Sequence, residues 1–128
     1  YGATTGRPRR CGWFDAVVTR HAVRVNGLDH IAVTKLDVLD DLPEIKVCVA
    51  YRHRGNILKE FPSHVEVLNK CRPIYRTVKG WLEPTTHVTR YRKLPRRARE
   101  YLTLLTRLLG TPISIVSVGS TRTQTIVI

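Results

Sequence analysis

Three short stretches of this sequence carry groups suited to holding anions or a purine. The first is Gly2-Ala3-Thr4-Thr5-Gly6-Arg7-Pro8-Arg9-Arg10. Glycine beside threonine offers N–H groups and hydroxyls, and three arginines follow within four positions. Arginine pairs with carboxylate or phosphate through two parallel hydrogen bonds. In an extended segment Arg7 and Arg9 point to one side and Arg10 to the other, because side chains alternate with period two. Thr4, Thr5, Arg7 and Arg9 are therefore expected to hold a small dianion, helped by the dipole of the helix that follows. The second stretch is Thr34-Lys35-Leu36-Asp37, at the end of a predicted strand. The third, Ser117-Val118-Gly119-Ser120, ends another, where a small Gly-containing turn leaves backbone N–H groups for a base oxygen or a phosphate.

Each stretch has a rival reading. Gly6-Arg7-Pro8 among arginines resembles the core of an AT-hook, which lays arginines into a narrow minor groove. Such hooks sit in disordered basic tails, whereas this one abuts an amphipathic pattern. A basic loop without a ligand is the plainer alternative. Thr34–Asp37 resembles the N/T-K-x-D element by which guanine-nucleotide proteins read their base. A carboxylate accepts from guanine N1–H and the 2-amino group together, a donor pair adenine lacks, and a Lys stem lies along the base plane. Its rival is a polar strand end, and for Ser117–Ser120 it is a tight turn.

Positioning these residues requires a folded scaffold. At 128 residues and 42% hydrophobic content the chain suits one domain, 1–128, with a core that needs no disulfide or metal. Cys11, Cys48 and Cys71 are odd in number and well separated, so free thiols in a reducing, cytoplasmic compartment are expected. The five histidines form no metal-ligand spacing. No stretch approaches 18 apolar residues, so no membrane span is expected. The chain starts at Tyr1 and contains no Met, which suggests a piece of something longer. The net charge is +12, and residues 65–128 carry 12 basic against 3 acidic side chains. Arg90, Arg92, Lys93, Arg96, Arg97 and Arg99 form the densest run, read either as a polyanion-attracting patch or as a solvated face.

The spacing of Phe14, Val17, Val18, Ala22 and Val25 predicts a helix over Trp13–Val25, stopped by Asn26-Gly27. His30–Val33 and Ile45–Tyr51 read as strands, Arg52–Asn56, with Gly55, as a turn or loop, and Ile74–Val78 as a further strand. Trp81–Arg92 has no period. Leu94-Pro95 opens a helix with Ala98, Tyr101, Leu102, Leu105, Leu108 and Leu109 on its apolar face, closed by Gly110 and Pro112. Ile113–Val118 and Thr125–Ile128 are the last strands. The fold class expected is α/β, a mixed sheet with flanking helices. No Gly-rich phosphate cradle or catalytic triad is present, so a triphosphate would be held from outside this chain.

Together the stretches resemble the C-terminal part of the adenylosuccinate synthetase family. The similarity runs through Gly2–Asp15, Ala22–Leu28, Thr34–Asp40, Glu44–Tyr51, Pro73-Ile74-Tyr75, Gly80-Trp81, Leu94-Pro95, Gly110–Ile113 and Val116–Gly119. It implies a GTP-dependent C–N ligase that joins IMP to L-aspartate in AMP biosynthesis, with a homodimer as the full enzyme. GTP phosphorylates the 6-oxygen of IMP, and the aspartate amine displaces that phosphate. Residue by residue, the resemblance implies an aspartate loop over Ala3, Thr4, Thr5, Gly6, Arg7, Pro8 and Arg9, with Arg7 also touching IMP and Arg9 also reaching GTP. It further implies guanine contacts from Lys35, Leu36 and Asp37 and from Ser117, Val118 and Gly119. The family's phosphate loop, catalytic Asp and His, and Mg²⁺ ligands lie outside this chain, so the piece alone is expected to be inactive. Pro8 stands where many relatives have Arg, and Ser120 where the family usually has Pro. Arg52–Arg72 and Arg90–Arg99 match poorly. The alternatives are a basic nucleic-acid-binding module, on Gly6-Arg7-Pro8 and the arginine run, and a non-catalytic relic.

Overall fold

The computed structural model describes residue 2 and residues 4–128. Its first strand, β1, is only Phe14–Asp15, and the helix α1 spans Ala16–Asn26. The apolar spacing predicts a start at Trp13, three residues earlier. Asp15 explains the difference. Its backbone is extended and its Oδ1 accepts from the N–H groups of Val17 at 2.9 Å and Val18 at 3.2 Å. That cap satisfies two of the orphan donors of a helix start. Gly27, in the left-handed region at φ 60, ends α1.

Strand β2 is Ile31–Val33 and β3 is Glu44–His53. Arg52–Asn56, expected to be a turn or loop, forms the corner of a hairpin: Arg54 and Gly55 take φ 48 and 84, and β4, Asn56–Leu58, pairs back antiparallel on β3. Two consecutive positive φ values match the twist of the flanking strands. A five-residue helix, α2 (Val65–Asn69), follows; it buries none of its residues, so no apolar period announces it. Strand β5, Arg72–Lys79, runs antiparallel along β3 from Glu44↔Lys79 to Arg52↔Arg72. Phe14 and Asp15 pair in parallel with Val47 and Cys48 of β3, so β1 roots the preceding arginine loop in the sheet.

Helix α3 is Arg96–Leu109, with Pro95 at its cap and Gly110 closing it at φ 70. No side chain caps its start and no acid occupies its first turn. Strands β6 (Ile113–Ser117) and β7 (Thr125–Val127) join β2 in a second sheet of order β2-β6-β7. The β2–β6 pair is parallel and β6–β7 is antiparallel. The main core draws Ile45 and Val47 from the first sheet, Ile113, Val116 and Ile126 from the second, and Ala98, Leu102 and Leu105 from α3. Each fully buried Leu is worth about 1.5–3 kcal/mol of transfer free energy. A smaller cluster, Val17, Cys48 and Tyr51, lies under α1.

Residues 81–90 lack regular structure yet are firmly anchored. Asp40, itself buried, accepts from Trp81 Nε1 at 2.7 Å and from Thr85 N at 2.6 Å and Oγ1 at 2.9 Å. Gly80 passes so close under Leu42 that a Cβ there would overlap the Leu42 carbonyl. The mixed sheets with flanking helices match the expected fold class.

Candidate functional site

Because β2 and β6 are parallel, their C-terminal ends lie together, the place where ligands settle on such sheets. That brings Thr34-Lys35 beside Ser117. Lys35 takes φ 59 and ψ 44, rare for a residue with a side chain. The turn it makes lets its N–H donate to Ser117 Oγ at 3.0 Å, which ties the second and third stretches to each other. A 3₁₀ turn, Leu36–Leu39, follows. Leu36 is 1% exposed and belongs to the core, so only its backbone is left for a ligand.

Asp37 is half-buried, and its Oδ1 is shielded from solvent with no hydrogen-bond partner. A buried acceptor left unpaired costs roughly 1–3 kcal/mol, so such atoms usually meet a donor in use. Asp37 lines a cleft of about 310 Å³ together with Lys35, Val38, Thr86, Gly119, Ser120 and Gln124. Val118 departs from expectation. Its side chain is fully buried and its N–H donates to the Gln124 carbonyl at 2.9 Å, so this amide is not free. The Gly119 N–H has no partner among the described residues. The Gln124 amide packs against Gly119 so closely that a Cβ there would overlap it.

The arginine loop closes on itself. The Gly2 N–H donates to the Arg7 carbonyl at 2.8 Å and the Gly6 N–H to the Gly2 carbonyl at 2.9 Å, with Gly6 at φ 61. The two bonds draw Gly2 and Gly6-Arg7 together and satisfy backbone groups that would otherwise be left to water, while residues 7–10 are in no helix or turn. Arg9 folds back so that its guanidinium lies beside Gly2, near the Thr5 hydroxyl. Thr4, Thr5, Arg7, Pro8 and Arg9 are all exposed; Ala3 lies outside the described residues. A loop tied between Gly2 and Arg7 is not the open arm an AT-hook needs. A second cleft of about 200 Å³ separates Gly12–Phe14 from Thr34–Leu39 and shares Lys35 and Val38 with the first. The root of the arginine loop therefore borders the Lys35–Asp37 cleft. A larger cleft, about 570 Å³ between β5 and α3, is lined by none of these residues.

Comparison with known proteins decides the family. The adenylosuccinate synthetase family model matches residues 1–126. The chain belongs to the adenylosuccinate synthetase family. The adenylosuccinate synthetase of Gloeobacter violaceus is 56% identical over all 128 residues, and that of Desulforamulus reducens 53%. The chain covers 29% and 30% of those proteins. The structure of fully ligated adenylosuccinate synthetase from Plasmodium falciparum superposes with a TM-score of 0.92 at 36% identity, over 100% of this chain and 31% of that one. The chain thus spans about 30% of the length of the synthetases it matches. The match includes Gly6-Arg7-Pro8 and the arginine run, and neither the nucleic-acid module nor the relic gains support from it.

Asp40, Thr85, Thr86 and Gln124 were not among the residues that the sequence singled out. One signal was available: Thr121-x-x-Gln124 is a capping box, and the structure forms it.

Proposed function

We propose that this chain is the part of an adenylosuccinate synthetase that reads guanine and presents the aspartate loop. The whole protein would condense IMP with L-aspartate at the expense of GTP, in the cytoplasm and as a homodimer. The observation that carries the base-reading half is the unpartnered, shielded Asp37 Oδ1, in a residue that lines one cleft with Gly119. Guanine N1–H and its 2-amino group would donate to Asp37, and the Gly119 N–H would donate to the 6-oxygen. The Lys35 stem would cover the base, with Leu36 and Val118 holding the walls from the core side. Ser117 serves through its bond to the Lys35 N–H.

Arg7 and Arg9, exposed on one loop with Thr4 and Thr5, suit the two carboxylates of aspartate, with Arg7 extending to the IMP phosphate and Arg9 to GTP. Transfer of the phosphoryl group to the 6-oxygen of IMP and its displacement by the amine would then be done by residues beyond this chain. No three His, Cys, Asp or Glu side chains come together among the described residues, and the resemblance assigns the Mg²⁺ ligands to residues beyond this chain. No step of the reading runs through it.

The test is a chimera in which this chain replaces the matching segment of the Gloeobacter violaceus synthetase. Adenylosuccinate formation with GTP is expected. Asp37→Asn should raise the KM for GTP by one to two orders of magnitude and improve the use of XTP, whose 2-position carries an oxygen, since each lost hydrogen bond to a charged group is worth about 1.5–3 kcal/mol. Unchanged GTP kinetics in that variant would refute the guanine assignment.

A further inference from the structure

Two walls face each other across the Asp37 cleft, and their spacing decides whether one flat base touches both. The Lys35–Asp37 wall is braced by Asp40, which closes the 3₁₀ turn with its N–H on the Asp37 carbonyl at 3.1 Å. Asp40 also grips Thr85 by backbone and hydroxyl, and Thr85 is 0% exposed. The next residue, Thr86, turns its carbonyl toward the opposite wall and accepts from Gln124 Nε2 at 3.0 Å. Gln124 is bonded at every polar group this side can reach. Its Oε1 accepts from Thr121 N at 3.1 Å and Thr121 Oγ1 at 2.9 Å, and its carbonyl accepts from Val118 N. Its amide lies against Gly119 with no room for a Cβ between them.

An unbroken chain of bonds therefore runs from Asp40 through Thr85, Thr86 and Gln124 to Val118 and Gly119. It crosses beside the cleft, whose lining includes both Thr86 and Gln124. The Lys35–Ser117 bond ties the walls at one point, and the Gln124–Thr86 bond ties them at a second. Two ties fix an opening that one tie would leave free to hinge.

We infer that Gln124 is a positioning residue for the base: its side-chain amide holds the Gly119 wall at the distance from Asp37 that a purine requires. The inference rests on the guanine reading above and adds to it a residue and a role. A base oxygen at the 6-position meets the Gly119 wall, whereas the 2-amino group meets Asp37. Loss of the Gln124 tie should thus weaken every purine triphosphate that carries a 6-oxygen, with or without the 2-amino group.

The experiment uses the same chimera with Gln124→Met, which keeps the length of the side chain and removes its hydrogen bonds, and Gln124→Ala as a second variant. Initial rates are taken with GTP and with ITP, which lacks the 2-amino group, and thermal midpoints are recorded alongside. The expected result is a five- to twentyfold rise in KM for GTP and an equal rise for ITP, with kcat and the KM values for IMP and aspartate unchanged. Asp37→Asn, run in parallel, should penalise GTP more than ITP. An unchanged KM for GTP in the folded Gln124 variants overturns the role. So does a loss of kcat with all three KM values moving together, which marks a merely structural residue. If Asp37→Asn itself leaves GTP untouched, the guanine reading falls; if it does not and Gln124→Met is silent, only the positioning role falls.

Discussion

Asp40 offers the sharpest test of how the structure is held. Its carboxylate takes three donors: Trp81 Nε1 on Oδ1, the Thr85 N–H on Oδ2, and the Thr85 hydroxyl. Both partner residues are buried. In Asp40→Asn the shape survives, but one position becomes an NH₂ facing a donor. One charge-assisted bond is lost, about 2 kcal/mol. In Asp40→Ala the indole N–H and the Thr85 N–H are both orphaned away from water, about 2 kcal/mol each and about 4 kcal/mol together. A domain holds roughly 5–15 kcal/mol in total, so the second variant removes a large share. Urea unfolding of the 128-residue chain, followed by tryptophan fluorescence, reads both values. With a slope of about 2 kcal/mol per molar, the midpoint should fall by about 1 M for Asn and about 2 M for Ala. Trp81→Phe combined with Asp40→Ala should cost less than the sum of the two, because the indole donor is then absent. A drop below about 0.5 M for Asp40→Ala with an unchanged slope would refute the claim that these bonds anchor residues 81–90.

Two further outcomes follow from the site and from the buried phenols. Burial raises the Tyr101 phenol from its ordinary value of 10 to about 12, and burial with the bond to Asp15 raises Tyr51 further still. A phenol raised in the fold contributes all of its stability below pH 10 and loses it as pH climbs toward the folded value. Thermal midpoints should therefore hold up to about pH 10 and fall above it, and Tyr51→Phe should soften that fall; a flat profile to pH 12 would contradict it. In the chimera, Arg7→Leu and Arg9→Leu should each raise the KM for aspartate or lower kcat by an amount worth about 1.5–3 kcal/mol. Normal aspartate kinetics in either variant would remove that residue from the loop's role.

Helix α3 was legible because Ala98, Tyr101, Leu102, Leu105 and Leu109 are spaced for one face and all five are buried. Pro95 and Gly110 punctuate it as their φ preferences require. The start of α1 was missed because apolar spacing runs on through Trp13 and Phe14, while the Asp15 cap and the pairing with β3 end the helix at Ala16. Strand β4 and helix α2 stay silent in the sequence, since both are short and neither has a fully buried residue; each packs a single leucine, Leu58 or Leu68, against the smaller cluster. Residue type at strand ends pointed to Lys35, Asp37 and Gly119, which line one cleft, and to Ser117, which is bonded to the Lys35 N–H beside it. The ties between them were not legible. Asp40 meets Thr85 across 45 positions and Gln124 meets Thr86 across 38, and no local pattern encodes such a pairing.

The uncapped start of α3 has a consequence of its own. Arg96 and Arg97 stand where the backbone's partial charge is already positive, and Glu100 answers only Arg96, at 2.8 Å. On a chain of net charge +12 this end stores repulsion, and dissolved ions are the cheapest relief. The surrounding electrolyte thereby becomes part of what holds the helix in place. Stability is therefore expected to fall as the salt concentration is lowered. Low salt is also the condition in which stray polyanions from a lysate cling most tightly, so ultraviolet absorbance of a preparation reports what has condensed on the protein as much as the protein itself.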